Sequence, residues 1–307
     1  MQVTNKVKQI LSHYSSENAG VRARLCKLLM HGKLSGTGKL VILPVDQGFE
    51  HGPDKSFAKN QEAYDPDYHF KLAVDAGLSA YAAPIGMIKA SIDKFTGQIP
   101  LILKLNSNNS LSPKSKPHNQ AITASIQDAL ELGCDAIGIT IYPGSFDALD
   151  MISNASELIR EANSCGLISV VWSYPRGGDI SKHGETSMDI CSYAAHIASL
   201  LGAHIIKVKP PTDYIESSSM QEIYKSESIA IASLSDRVKN VMRSCFNSKR
   251  LVVFSGGEFK GDDKLLDNIM SIKQGGGSGS ILGRNSFQRP YNQAISLLQK
   301  VCDIYKS

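Results

Sequence analysis

Lys207 and Lys209 stand two apart in His-Ile-Ile-Lys-Val-Lys-Pro (204–210), a run otherwise composed for burial. An ammonium inside such a run needs a counter-charge or a lowered pKa, because loss of water disfavours the charged form. The ordinary fate of a strand lysine is to snorkel to solvent or to pair with a carboxylate, here Asp46. Lys104, in Leu-Ile-Leu-Lys-Leu-Asn (101–106), is a third strand-borne cation, and clustered cations lower one another's pKa. At the reference pKa only about one lysine in 2,500 is a free amine at pH 7; a pKa near 7–8 raises that to roughly tenths, at a cost of ~4 kcal/mol. A free amine in a site of low dielectric attacks a carbonyl carbon to give an imine, and the protonated imine withdraws electrons from an adjacent C–C bond. Alternation puts Lys207 and Lys209 on one face and does not choose between them.

That chemistry needs protons moved. Val-Trp-Ser-Tyr-Pro-Arg (171–176) supplies the Tyr174 phenol, with Trp172 on the same face to wall a pocket; aromatic core packing is the plain alternative. Asp46 ends another apolar run and is followed by Gln47, Glu50 and His51. Ser255-Gly256-Gly257 and Gly283-Arg284-Asn285 each follow an apolar run. Glycine lets backbone N–H groups approach a phosphate, and Arg284 would add a charge-assisted clamp, although glycines in such places also serve simply as turns. The eight histidines show no His-x-x-x-His pair, so a metal site is not expected. The six cysteines contain no Cys-x-x-Cys and read as free thiols. Gly36-Thr37-Gly38-Lys39 imitates part of a phosphate-binding loop, but Leu40 stands where Ser or Thr is required and the segment precedes a strand.

The elements that must position these groups alternate from Leu40 to the C-terminus. Short β-branched runs at 40–46, 78–84, 101–106, 136–142, 168–174, 204–210, 251–257 and 280–284 predict eight strands. Helix-like segments fall near 67–76, 86–94, 119–132, 146–165, 188–201, 217–243, 262–273 and 288–304. Eight βα units in this length fit an α/β protein of the (β/α)8 barrel type, in which reactive side chains project from strand C-terminal ends. A doubly wound open sheet would announce itself by Gly-x-Gly-x-x-Gly after the first strand, and Val-Asp-Gln-Gly stands there instead. The predicted division is an N-terminal helical extension, 1–36, and a barrel domain, 37–307. Gly275–Gly279 precedes the eighth strand, so it is expected on the face away from the reactive groups.

With 307 residues, 42% apolar and 20% charged, the chain can bury a large core without disulfides or metals. Its 33 basic against 29 acidic residues give +4. The longest basic cluster, Lys114 and Lys116, is too short to track phosphates, so no nucleic-acid partner is expected. No apolar leader and no run of about 18 apolar residues is present, so the expectation is a cytoplasmic protein without a membrane partner.

Over residues 30–304 the chain resembles the archaeal-type class I fructose-bisphosphate aldolases, also found in bacteria. The resemblance runs through ILPVDQGFEH (42–51), ILKLN (102–106), GITIYPGS (138–145), VVWSYPRGG (170–178), GAHIIKVKP (202–210), FSGG (254–257) and ILGRNSF (281–287). It implies a (β/α)8 barrel and reversible cleavage of fructose 1,6-bisphosphate to dihydroxyacetone phosphate and glyceraldehyde 3-phosphate. It implies Lys207 as the imine-forming residue, Tyr174 as proton donor and acceptor with Trp172 beside it, and Asp46 orienting substrate hydroxyls. Ser255, Gly256, Gly257, Gly283 and Arg284 would hold one phosphate, with Arg176 and Lys104 as candidates for the second. No metal or other cofactor is implied, sugar phosphates are the small-molecule partners, and homo-oligomers up to a decamer go with the resemblance. Relatives with the same motifs include aminodideoxyheptulosonate synthases and an autoinducer-degrading thiolase, so a related imine-forming sugar-phosphate enzyme is the alternative. A non-catalytic barrel that binds sugar phosphates is another. The Trp-Ser-Tyr-Pro-Arg and Ile-Leu-Gly-Arg blocks favour the fructose-bisphosphate branch.

Overall fold

The structure, a computed structural model, describes residues 2–113, 115–256 and 261–307. Strands Leu40–Pro44, Ala80–Pro84, Leu101–Lys104, Ala136–Ile141, Ile168–Ser173, Ile205–Val208, Leu251–Ser255 and Gly279–Ile281 close into a barrel. Each runs parallel to its neighbour, and the eighth joins the first through Leu40 opposite Gly279. Parallel pairing requires a crossover, which is why helical segments separate the strands. The predicted barrel and the predicted strands are therefore present, with shorter ends.

Alternation along the strands divides the apolar residues between two cores. Leu40, Ile42, Ala80, Ala82, Ile102, Val170, Ile205, Val253 and Ile281 fill the barrel. Val41, Leu43, Leu103, Ile137, Val171, Ile206 and Val252 pack against the outer helices. Lys104 shares the parity of Ile102, and Lys207 that of Ile205, so both lysines point inward.

Two N-terminal helices, Asn5–Ser12 and Ala19–Leu29, begin at side-chain caps from Thr4 and Asn18. Their apolar residues Val7, Val21, Leu25, Leu28 and Leu29 belong to the same core as the barrel interior. Tyr14 donates its hydroxyl proton to the His204 carbonyl (2.7 Å) and accepts from the Leu251 N–H (3.0 Å), satisfying backbone groups at the start of two strands. The helices thus plug the N-terminal end of the barrel and leave the C-terminal end open for chemistry.

Several helices depart from expectation. Residues 119–132 hold only a helix over Ile126–Glu131, opened by a capping box between Ser125 and Asp128. Ahead of it Ala121–Ile122 pairs antiparallel with Asn106–Ser107. The 217–243 segment is two helices, Ser218–Ser226 and Leu234–Ser244, parted by Ser228 in the left-handed region and by a second capping box at Ser233. The 86–94 segment divides into Ile85–Lys89 and Ile92–Phe95. The eighth strand stops at Ile281, and two residues on the backbone passes close to the first loop: a Cβ on Gly283 would lie 2.8 Å from Gln47 Nε2 and 2.9 Å from the Pro44 carbonyl. Arg284 then opens a short helix, Arg284–Phe287, and the last helix is Tyr291–Lys306. The glycine run at 275–279 leads into the eighth strand, whose first residue is Gly279, on the plugged face as expected. All six cysteines are free thiols.

Candidate active site

Lys207 lies opposite Trp172 in the register of the fifth and sixth strands. Its Nζ is 5.0 Å from the centroid of the Trp172 ring and 5.4 Å from that of Tyr174. The side chain is 5% exposed and makes no hydrogen bond or ion pair with the described residues. Burial lowers its pKa to about 8 with help from the Arg284 cation, against the opposing pull of the Asp46 and Glu50 carboxylates. The pairing with Asp46 that could have made Lys207 an ordinary buried cation is not formed.

Lys209 has a different fate. Its Nζ is 3.2 Å from Glu185 Oε2, so its charge is matched and its amine is not free. Geometry thereby separates the two lysines that alternation had left equivalent. Lys104 is also buried and donates to the backbone and side-chain oxygens of Asn106, the latter at 2.8 Å. Burial, opposed by the Asp46 and Glu50 carboxylates and aided by the Lys207 cation, lowers its pKa to about 8.

Trp172 owes its place to a glycine. A Cβ on Gly138 would fall 2.5 Å from Trp172 Cζ3, so only glycine on the fourth strand leaves room for the indole. The indole N–H is buried without a hydrogen-bond partner, a donor available to a bound hydroxyl. Tyr174 keeps its proton firmly: burial, then the Asp46 and Glu50 carboxylates, hold the phenol well above its ordinary pKa.

A cavity bordering Trp172 and Tyr174 is lined by Asp46, Glu50, Lys104, Ser107, Asn108, Gln120, Thr140, Tyr142, Trp172 and Tyr174. The water-accessible space in it is about 20 Å³, room for roughly one water. Glu50, in that lining, is held by two contacts: Arg176 Nη1 lies 2.9 Å from Glu50 Oε1, and the Ser110 N–H donates to the Glu50 carbonyl at 2.9 Å.

Asp46, Lys104, Trp172, Tyr174 and Lys207 thus converge. Arg284 lies near enough to act on both Lys207 and His51. Ser255 ends the seventh strand opposite Ile281, and Asn285 Nδ2 donates to the Gly256 carbonyl at 3.4 Å, tying the last two loops together. A Cβ on Gly256 would lie 2.7 Å from Leu282 Cδ2, so this glycine serves close packing. Gly257 lies outside the described residues. Arg176 is engaged with Glu50 and stands 4.9 Å over the Tyr142 ring.

Sequence reading did not assign Glu50, Asn106, Thr140 or Tyr142. Asn106 accepts from the Thr140 N–H (2.7 Å) and donates to the Thr140 carbonyl (2.8 Å), so its side-chain amide extends the pairing past the end of the third strand and holds Lys104. An Asn two residues after a strand lysine was the available signal. Among the described residues, no group of three or more His, Cys, Asp or Glu is placed to hold a metal.

An unpaired lysine and a protonated phenol inside the mouth of a closed parallel barrel form the arrangement of an imine-forming barrel enzyme. The profile of the DeoC/LacD family aldolases matches residues 40–289, and the chain belongs to that family. It is 33% identical over 302 residues to a probable fructose-bisphosphate aldolase class 1 of Chlamydia muridarum, covering 95% of this chain and 86% of that one. It is 35% identical over 253 residues to the fructose-bisphosphate aldolase class 1 of Thermoproteus tenax, covering 82% and 84%. A crystal structure of an archaeal fructose 1,6-bisphosphate aldolase superposes with a TM-score of 0.76 at 30% identity, covering 92% and 98%. Another archaeal aldolase structure, with its catalytic lysine covalently bound to the carbinolamine intermediate of the substrate, superposes with a TM-score of 0.76 at 29% identity over 92% and 98%.

Proposed function

We propose that the chain is a Schiff-base (class I) fructose-bisphosphate aldolase that reversibly cleaves fructose 1,6-bisphosphate through an imine on Lys207. The observation that carries this reading is the state of Lys207: buried, unpaired and with a pKa near 8, beside a phenol that keeps its proton. The names of the relatives supply the substrate.

In this mechanism the neutral Lys207 amine adds to C2 of the ketose to form a carbinolamine. Tyr174 protonates the departing hydroxyl, water leaves, and the phenolate is stabilised by the new iminium. The phenolate next accepts the C4 hydroxyl proton as the C3–C4 bond breaks, and the electron pair of that bond forms C2=C3 and neutralises the iminium nitrogen, giving an enamine. Glyceraldehyde 3-phosphate departs. Tyr174 returns its proton to C3, and water hydrolyses the iminium to release dihydroxyacetone phosphate. Asp46 and the Trp172 N–H orient hydroxyls. Ser255, Gly256, Gly257, Gly283 and Arg284 hold one phosphate, and Arg176, released from Glu50, reaches the other with Lys104 beneath it. No metal or other cofactor enters the cycle, and none is expected.

Glycolytic or gluconeogenic duty in the cytoplasm goes with this reading. So does a homo-oligomer, supported by the apolar side chains of Phe146 (84% exposed) and Leu149 (77% exposed) on the surface. Among the described residues no helix is long and apolar enough to cross a membrane.

A coupled assay of fructose 1,6-bisphosphate cleavage tests the assignment. Lys207→Met is expected to lower kcat by about a thousandfold or more, the scale of losing a nucleophile. Lys209→Met, which removes only a paired charge, is expected to keep measurable turnover. Equal losses in the two variants would overturn the role given to Lys207.

A further inference from the structure

A second cavity, of about 320 Å³, lies at the opposite end of the barrel from Lys207. It is bounded by helix Asn5–Ser12, the segment leading into the first strand, the loop before the seventh strand and the residues before the eighth. Its lining includes Lys6, His13, Lys39, Lys249 and Arg250 and contains no Asp or Glu. We propose that this cavity is a binding site for a small, multiply charged anion bearing phosphate or carboxylate groups.

The cations are not neutralised from within. Lys6, Lys39, Lys249 and Arg250 form no ion pair with the described residues. Lys39 Nζ donates to the Gly277 carbonyl at 2.5 Å, and Arg250 Nη1 to the Lys249 and His13 carbonyls at 3.0 and 3.5 Å. Arg250 is held between the rings of Tyr14 and Phe246, 5.1 and 5.5 Å from their centroids, with Nε buried and unpartnered. The carboxylate that feels Arg250, Glu17, is engaged with His204 Nε2 at 3.5 Å. Lys273 also faces Lys39 and adds to the field.

Burial first, and then the neighbouring cations, disfavour the charged forms of the titrating groups here. Lys39 is lowered to about 8 by burial and by Lys6 and Lys273. His13 is lowered by burial and by Lys249, Arg250 and Lys6. Beside them Phe246, Asn247 and Ser248 hold φ values of 57°, 54° and 66°; such strained backbone gathers at ligand clamps, and Asn247 and Ser248 line the cavity.

The volume suits a small molecule, and a concave pocket differs from the extended stripe that follows a nucleic-acid backbone. Several negative charges on a compact ligand would satisfy cations that come from both the N-terminal helix and the barrel base. A bound anion would therefore fasten the plug to the barrel.

The test uses calorimetric titration with pyrophosphate and, separately, citrate, on the wild type, Lys6→Gln/Lys249→Gln and Arg284→Gln. Both substituted lysines of the double variant are exposed, so folding is preserved. Arg284→Gln removes a cation from the other end of the barrel and separates the two possible anion sites. Binding that survives Arg284→Gln and weakens about tenfold or more in the double variant supports the proposal; preference between the two probes identifies phosphate or carboxylate as the recognised group. Melting temperatures give a second readout. The wild type should gain more from anion than from sodium chloride at equal ionic strength, and the double variant should lose that increment while melting no lower without anion. Unchanged affinity in the double variant, binding that vanishes with Arg284→Gln alone, or a gain matched by chloride would overturn it. So would dissociation of an oligomer by the double variant with anion affinity intact, because a neighbouring subunit's carboxylate would then be the occupant.

Discussion

Raising the pH is the perturbation that reports most directly on how the fold treats Lys207. Its pKa is lowered from 10.5 to about 8, chiefly by burial, which corresponds to ~3 kcal/mol of disfavour for the ammonium. At pH 7 about one molecule in ten then carries the free amine, against about one in 3,000 for an unperturbed lysine, a gain of roughly 300-fold. The sign for stability follows. Between about 8 and 10.5 the unfolded chain holds a proton on this lysine that the folded chain has released, so stability rises with pH across that window. Reductive methylation with formaldehyde and cyanoborohydride from pH 6 to 11, read by peptide mass, measures the midpoint for each lysine separately. Lys207 should label with a midpoint near 8, with Asp46→Asn moving it down and Arg284→Gln moving it up, because those charges oppose and assist the shift respectively. A Lys207 midpoint near about 10.4, shared with surface lysines, would refute the reasoning from burial to reactivity.

Further outcomes follow from the same geometry. Glu50→Gln removes the carboxylate that holds Arg176, so KM for fructose 1,6-bisphosphate should fall a few-fold as Arg176 becomes free for phosphate; a raised KM in steady-state assays would argue against Arg176 as a phosphate ligand. Gly138→Ala places a methyl 2.5 Å from the Trp172 ring and should destabilise the fold by about 1–3 kcal/mol. It should also lower kcat by displacing Trp172 from Lys207, and denaturant melts together with kinetics check both effects.

The barrel was legible because eight β-branched runs alternate with helical segments, and because interior and exterior residues follow the two-residue period that also turns Lys104 and Lys207 inward. Chain ends of elements were harder. The capping boxes at Ser125 and Ser233 are local, Ser and Asp three apart, but they do not show where the preceding segment stops being helical, and the turn at Gly283 depends on Pro44 and Gln47, distant in sequence. At the site, Lys207, Tyr174, Trp172 and Asp46 could be found from strand-end positions, and the family resemblance chose Lys207 over Lys209. The partner that makes the choice physical, Glu185 beside Lys209, lies in a loop whose approach no local pattern encodes. Asn106 and Gly138 share that limit: one holds Lys104 and the other makes room for the indole on the neighbouring strand, and neither role exists until the strands pair. The basic cavity at the plugged end was equally hidden, since Lys6, Lys39 and Lys249 are scattered lysines in sequence and neighbours only in space.

The most direct measurement of the central claim is the intact mass after borohydride reduction with dihydroxyacetone phosphate, followed by peptide mapping. An imine at Lys207 predicts one stable adduct per chain that requires the ketose phosphate, maps to Lys207 and is lost in Lys207→Met. No ketose-dependent adduct, or an adduct that maps to Lys104 or Lys209 and persists in Lys207→Met, would contradict the account.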